Sequence, residues 1–159
     1  MTINYNRKEL TREYSLKYLG IFIDSHLNWK RHVNCIAKKI KRSIGILSKI
    51  RYFTNLNILI NLYYTLIYPF LISGIMISSG CFYPTSQKPL HTLQKKAMRI
   101  ITFSKFVAHS SPIFKYLTII KLPDLYVLNI TMFMHKFHHK KLPSAINHYF
   151  TTVNKNSYL

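Results

Sequence analysis

Acidic residues are scarce in this chain of 159 residues, which has 4 Asp and Glu residues against 23 Lys and Arg residues. The formal net charge at neutral pH is therefore +19. A domain without a polyanionic partner gains nothing from such self-repulsion. Nucleic acid is the partner that this balance favours, and an anionic membrane surface is the second.

The shortage of acids also limits the catalytic chemistry that the chain can carry. A two-metal phosphoryl-transfer site needs carboxylates that converge on ions about 3.5–4 Å apart. The acids of the sequence are Glu9, Glu13, Asp24 and Asp124, and none of them is adjacent to another. Asp24 and Asp124 stand where helix N-caps are expected. We therefore predict no catalytic residue, no metal site and no small-molecule ligand.

Glycine and cysteine are scarce too, with 4 and 2 residues respectively. The glycines lie far apart, which excludes a glycine-rich phosphate-binding loop. Cys35 and Cys81 have no CxxC spacing, so we interpret them as free thiols of an intracellular protein in the nucleus or cytoplasm. The first residues, MTINYNRKELTREY, lack the apolar segment of a signal peptide.

Three histidines near the end of the chain raise the question of a metal site. His135 and His139 are four residues apart, so both could face one ion on a helix. No Cys or acid lies nearby in the sequence, and Lys136, Lys140 and Lys141 would repel a cation. We interpret this segment as a basic helix end, where histidine also suits the helix dipole.

The stretch from Trp29 to Arg51 has the clearest helical pattern. Its apolar residues recur at spacings of three and four and share one face; they are Val33, Ala37, Ile40, Ile44 and Leu47. On the opposite face, four cations fall within roughly 40° of one another by the 3.6-residue repeat; they are Arg31, Lys38, Arg42 and Lys49. We expect the first face to be buried and the row of cations to meet a partner.

Other elements are expected on both sides of this helix. Residues 13–24 predict strand structure, with Gly20 marking a bulge or a close backbone contact. Gly45 weakens the first helix and suggests close packing at that point. A second helix begins after Asn55, its expected N-cap, and is kinked at Pro69.

Three further helices are predicted at about 88–103, 113–117 and 123–139, and one last helical turn within 144–150. In the helix at 123–139, the expected buried stripe consists of Leu125, Leu128 and Met132. The predicted fold is therefore mostly α, with an N-terminal strand or hairpin followed by a bundle of about five helices.

Two basic surfaces form the predicted nucleic-acid interface, because cations spaced by four and seven along a helix follow a phosphate backbone without reading bases. The candidates are Lys30, Arg31, Lys38, Lys39, Arg42 and Lys49 on the first helix, and Lys95, Lys96 and Arg99 on the third. Trp29, Tyr52 and Phe53 lie among them and are candidates for stacking on bases.

A membrane-associated helical protein is the alternative interpretation. Residues 56–83 contain no charged residue and are long enough to span a bilayer. Several polar residues and Pro69 interrupt the stretch, and Lys and Arg are plentiful on both sides of it. We therefore favour a kinked core helix. An open reading frame without function is a third possibility.

The segment KYLGIFIDSHLNWKRHVNCIAKKIKRSIGILSKIR resembles the C-terminal part of a reverse transcriptase from a jockey-like non-LTR retrotransposon. The resemblance continues through LYYTLIYPFLISGI, LQKKAMRII, AHSSPIFKYLTIIKLPDLY and HKKLPSAINHYF, and covers roughly residues 14–150. The order and spacing of these segments carry the resemblance rather than any single motif.

The resemblance implies that Tyr18, Leu19 and Gly20 correspond to the primer grip of such an RNA-directed DNA polymerase. Family members often have an aromatic residue and a Trp where this chain has Ser73 and Ser78. The family's palm, with its Asp-Asp motif and Mg²⁺, would lie upstream of residue 1. The chain is therefore expected to be inactive alone, to need no cofactor itself, and to have the palm as a partner.

The resemblance also implies a division of the chain. Residues 1–28 correspond to the end of the palm, 29–103 to a thumb-like helical bundle, and 104–159 to a C-terminal helical extension. The implied partner is an RNA–DNA or RNA duplex, contacted through its backbone without sequence preference.

Overall fold

The computed structural model describes residues 3–5, 8–10, 13–73, 75 and 87–144. Four short strands come first, namely β1 (Ile3–Tyr5), β2 (Lys8–Leu10), β3 (Ser15–Tyr18) and β4 (Ile21–Asp24). The helices are α1 (Lys30–Ile50), α2 (Leu56–Leu66), α3 (Tyr68–Ile72), α4 (Lys88–Ile101), α5 (Ser110–Tyr116) and α6 (Leu122–His138). The prediction of a mostly helical fold behind an N-terminal hairpin is confirmed. Cys81, Ser78 and the expected turn after Ser144 lie outside the described residues.

The N-terminal strands form two antiparallel hairpins, in which β1 pairs with β2 and β3 pairs with β4. Tyr18 pairs with Ile21, so Leu19 and Gly20 form a two-residue turn with φ angles of 46° and 85°. Two positive φ angles are typical of the hairpin turn that matches strand twist. The bulge or close contact expected at Gly20 is therefore wrong, and a Cβ there would meet nothing within 4 Å.

Asp24 connects the second hairpin to α1. Its carboxylate accepts backbone N–H bonds from His26 at 3.2 Å, from Asn28 at 3.0 Å and from Trp29 at 3.1 Å. These donors precede the first turn of α1, so Asp24 fixes the entry of the chain rather than capping the helix itself. Trp29 takes a left-handed conformation with φ 60° and is buried.

The apolar face of α1 forms one side of the core, as its spacing predicts. The five predicted apolar residues are all buried, and Ile40 and Leu47 are completely so. α1 packs against α2, α3 and α4. Gly45, by contrast, is exposed, and a Cβ there would meet nothing within 4 Å. The close packing expected at Gly45 is therefore wrong.

The second helix is divided as Pro69 predicts. Asn55 caps α2 by accepting the N–H of Ile58 at 3.0 Å, and the helix breaks at Ile67 before α3 continues. The buried hydroxyl of Ser43 in α1 donates to the Leu66 carbonyl at 2.9 Å, which satisfies an acceptor at the break. In the part of the chain that the structure describes, no helix is both long and apolar enough to cross a membrane.

Gln94 of α4 joins three parts of the core. It is completely buried. Its side-chain NH₂ donates to the Tyr63 hydroxyl at 3.0 Å and to the Ile120 carbonyl at 2.9 Å. Its carbonyl oxygen accepts the Leu122 N–H at 2.9 Å. Burial raises the pKa of Tyr63 well above its usual range, although the bond from Gln94 opposes this.

α6 begins beside this network and then leaves the core. Leu125 is buried, but Leu128 is 41% exposed and Met132 is 51% exposed. The predicted buried stripe is therefore wrong beyond its first residue, because the buried residues of α6 are Leu122 and Leu125, both in its first turn. The cap predicted at Asp124 is also wrong. Lys121 occupies the N-cap position, and Asp124 lies exposed in the first turn, where it still suits the helix dipole.

Candidate nucleic-acid interface

The exposed side of α1 carries a row of cations that we call the α1 basic face, made of Lys38, Lys41, Arg42 and Lys49. All four residues are exposed. The distance from Lys38 to Lys49 along the axis is about 17 Å at 1.5 Å per residue. No hydrogen bond or ring contact engages these four side chains within the described residues. Of the row predicted from the sequence, Lys38, Arg42 and Lys49 are therefore accessible to a partner, whereas Arg31 is not part of this face.

Lys41 is a member of this face that the sequence prediction missed. It lies about 60° around the helix from Lys38 by the 3.6-residue repeat, just outside the narrow stripe used for the prediction. Lys30 is also exposed, at the first position of α1.

Two other predicted residues of α1 make contacts inside the protein. Arg31 donates to the Ser15 hydroxyl, and its guanidinium carbon lies 5.1 Å from the centroid of the Phe22 ring. The Lys39 ammonium lies 5.2 Å from the Phe70 ring centroid. Arg31 therefore attaches the β3–β4 hairpin to α1, and Lys39 lies over a ring of α3.

The second predicted surface, on α4, is divided by local contacts. Lys96 is exposed, but Arg99 is half-buried and donates from Nε to the Ala108 carbonyl at 3.0 Å. Lys95 is half-buried and lines a cavity of about 430 Å³ together with Lys88 and His91. These residues are basic, yet they do not form one exposed row as those of α1 do.

The cationic surroundings of this cavity act on His91. Burial lowers the pKa of His91 below 6.5, and the charges of Lys95 and Lys121 lower it further, while Asp124 opposes them. Within the described residues, the buried Nε2 atom of His91 has no hydrogen-bond partner. The imidazole is therefore neutral at pH 7.

The three residues that resemble a primer grip lie at the tip of the β3–β4 hairpin. Tyr18, Leu19 and Gly20 are all exposed, which leaves them accessible to the end of a nucleic-acid strand. The hairpin packs on the start of α1. The Phe22 N–H donates to Nδ1 of His32 at 3.4 Å, and Nε2 of His32 lies 3.4 Å from the Ser73 carbonyl oxygen.

His32 is thus a buried connection that the sequence prediction missed. Because Nδ1 accepts a hydrogen bond, the neutral ring carries its proton on Nε2 and donates it to Ser73. Burial lowers the pKa of His32, the bond to Ser73 opposes this, and the charge of Lys39 lowers it further. The partners are 10 and 41 residues away in sequence, so no local pattern signals them.

The predicted stacking residues separate into two groups. Trp29 is buried and lies edge-on to His32, with 6.5 Å between the ring centroids. Its predicted contact with bases is therefore wrong, because the ring is buried at the N-terminal end of α1. Tyr52 and Phe53 are exposed at the other end of that helix.

The histidines at the end of α6 lie together on the surface. The rings of His135 and His139 are 4.3 Å apart between centroids, and both are exposed. Among the residues that the structure describes, no group of three or more His, Cys, Asp or Glu side chains is placed to hold a metal ion.

Comparison of the chain with protein-family models, with curated proteins and with solved structures found no match in any of the three.

Proposed function

We propose that this chain binds duplex nucleic acid, as RNA–DNA or RNA, through phosphate contacts along the α1 basic face. The observation that carries the proposal is the row of four exposed cations on one helix that contains no acid. Their side chains are uncommitted within the described part of the protein. A strongly anionic backbone is the partner that neutralises such a row.

The electrostatic design favours backbone contact without sequence readout. Lysine supplies three of the four cations and acts as a point charge on a flexible stem, which suits contact with phosphates and fixes no geometry for reading base edges. The buried face of α1 holds the helix in the core, so the cations are presented on a rigid element. Binding is therefore expected to be strong at low salt and similar for unrelated sequences.

We further propose that the chain derives from the primer-grip and thumb region of a non-LTR retrotransposon reverse transcriptase. The sequence resemblance supports this, together with the accessible hairpin tip at Tyr18, Leu19 and Gly20. The partners would be the template–primer duplex and a polymerase palm, inside the cell. The sequence contains no Asp-Asp pair, so we expect no primer extension by this chain alone, and measurable extension would refute that expectation.

Competition between duplexes tests the proposed binding. Two RNA–DNA duplexes of equal length and unrelated sequence should displace a labelled duplex from the purified chain at equal concentrations. A preference for one sequence above about tenfold would indicate base readout and contradict the proposal. An acidic polypeptide serves as a second competitor. Displacement by the polypeptide but by neither duplex would contradict the proposal as well.

A further inference from the structure

Gly45 is a glycine in the middle of α1 that the fold itself does not require. Among the described residues it is the only glycine within a helix, and only proline is less favourable in a helix interior. Its φ angle is not in the left-handed region. A Cβ at this position would meet nothing within 4 Å. Neither the backbone conformation nor the packing therefore explains the glycine.

Gly45 lies within the α1 basic face. By the 3.6-residue repeat, Lys38 and Lys49 lie about 20° and about 40° from it around the helix, and Lys41 lies about 40° to the other side. Arg42 completes the arc at about 60°. Lys41 and Lys49 are each about 6 Å from Gly45 along the axis, in opposite directions. Because Gly45 is exposed, it leaves a gap among the side chains of the face, with cations on both sides of it.

Such a gap has a use on a surface that binds a phosphate backbone. Glycine allows a ligand to approach the protein backbone closely. A sugar–phosphate strand that enters the gap lies against the helix, where the cations on both sides reach its phosphates. A longer side chain at position 45 would hold the strand away from α1 and lengthen the distances between the phosphates and these cations. Coulomb attraction falls as those distances grow.

We propose that one strand of the duplex crosses α1 at Gly45, with its sugar–phosphate backbone against the helix and with Lys41 and Lys49 on neighbouring phosphates. The inference rests on the proposed function, and it adds the point of closest contact between protein and duplex. A sugar–phosphate backbone carries no sequence information directly, so this contact adds affinity without sequence preference. It also accounts for a residue that a helix tolerates poorly.

Two substitutions at Gly45 test the close contact, because both keep all four cations of the face. Gly45→Ala adds a methyl group and Gly45→Leu adds a longer side chain, and both new residues favour a helix more than glycine does. The melting temperature of each variant should therefore be no lower than that of the parent chain. Duplex binding should nevertheless weaken from the parent to the Ala variant and further to the Leu variant.

The salt dependence of phosphate contacts sets the size of the effect. Loss of one contact weakens binding about eightfold at about 100 mM salt and reduces the magnitude of the salt slope by about 0.9. Gly45→Leu should show at least this loss. Asn61→Leu is the matched control, since Asn61 is exposed on α2 rather than on α1, and it should bind the duplex as the parent does.

Fluorescence anisotropy with a labelled RNA–DNA duplex at several salt concentrations gives the affinity and the slope of each variant. Unchanged affinity in Gly45→Leu, or an equal loss in Asn61→Leu, would overturn the inference. An equal loss in Gly45→Ala and Gly45→Leu would overturn it too, because binding would then need a flexible helix rather than a close contact. Failure of the parent chain to bind the duplex would instead refute the proposed function, so the two failures are distinguishable.

Discussion

Reversal of two charges on the α1 basic face should weaken duplex binding and flatten its dependence on salt. If each of the four cations neutralises one phosphate, the logarithm of the affinity falls with the logarithm of salt with a slope of about −3.6. A rise from about 50 to about 200 mM salt then weakens binding about 150-fold. The double variant Lys38→Glu and Arg42→Glu retains two phosphate contacts, so its slope should be about −1.8. The same rise in salt should then weaken its binding only about 12-fold.

Fluorescence anisotropy with a labelled RNA–DNA duplex at several salt concentrations measures both slopes. The double variant Lys105→Glu and Lys115→Glu is a charge-matched control. Both residues are exposed, and neither belongs to α1, since Lys105 follows α4 and Lys115 lies in α5. The control should keep a slope near that of the parent. Equal slopes for the parent and the Lys38–Arg42 variant, or a larger change in the control, would refute the assignment of the interface to α1.

Three further predictions concern the fold that presents this face. Gln94→Leu leaves the Tyr63 hydroxyl, the Ile120 carbonyl and the Leu122 N–H without their buried partner, so it should reduce the free energy of unfolding by about 3 kcal/mol; Thr92→Val, at an exposed site on the same helix, should change it by less than about 0.5 kcal/mol in denaturant titrations. Gly45 is exposed with open space around it, so Gly45→Ala should stabilise the chain by up to about 1 kcal/mol, and a destabilisation would show that contacts around Gly45 are closer than the structure has them. Burial lowers the pKa of His32 and His91 below 6.5, so the unfolded chain binds protons more readily; stability should be full above pH 6.5 and decrease as the pH falls below it. Thermal melts across this range should show that the double variant His32→Gln and His91→Gln loses much of the decrease, and an unchanged pH profile would contradict the reasoning.

Local periodicity correctly predicted the buried face of α1, which extends from Val33 to Leu47. The stripe of α1 repeats every three to four residues and lies against α2, α3 and α4, so pattern and burial agree. The same pattern in α6 predicted burial of Leu128 and Met132, which are exposed. Periodicity shows which residues share a face, but it does not show where the neighbouring elements end.

Other features depend on partners that are distant in sequence. Gln94 looks like an ordinary polar residue in its helix, yet its bonds reach Tyr63, 31 residues before it, and Leu122, 28 residues after it. Trp29 reads as an accessible aromatic among cations, but the left-handed entry to α1 directs it into the core.

Lysine accessibility tests the central claim most directly, because it reports contact with the nucleic acid residue by residue. The purified chain is treated briefly with an acetylating reagent, with and without an RNA–DNA duplex, and modification of each lysine is measured by mass spectrometry. Protection by the duplex should be concentrated at Lys38, Lys41 and Lys49, while Lys105 and Lys115 remain as reactive as in the free chain. Uniform protection, or protection of Lys105 and Lys115 alone, would contradict the proposal that the α1 basic face holds the duplex.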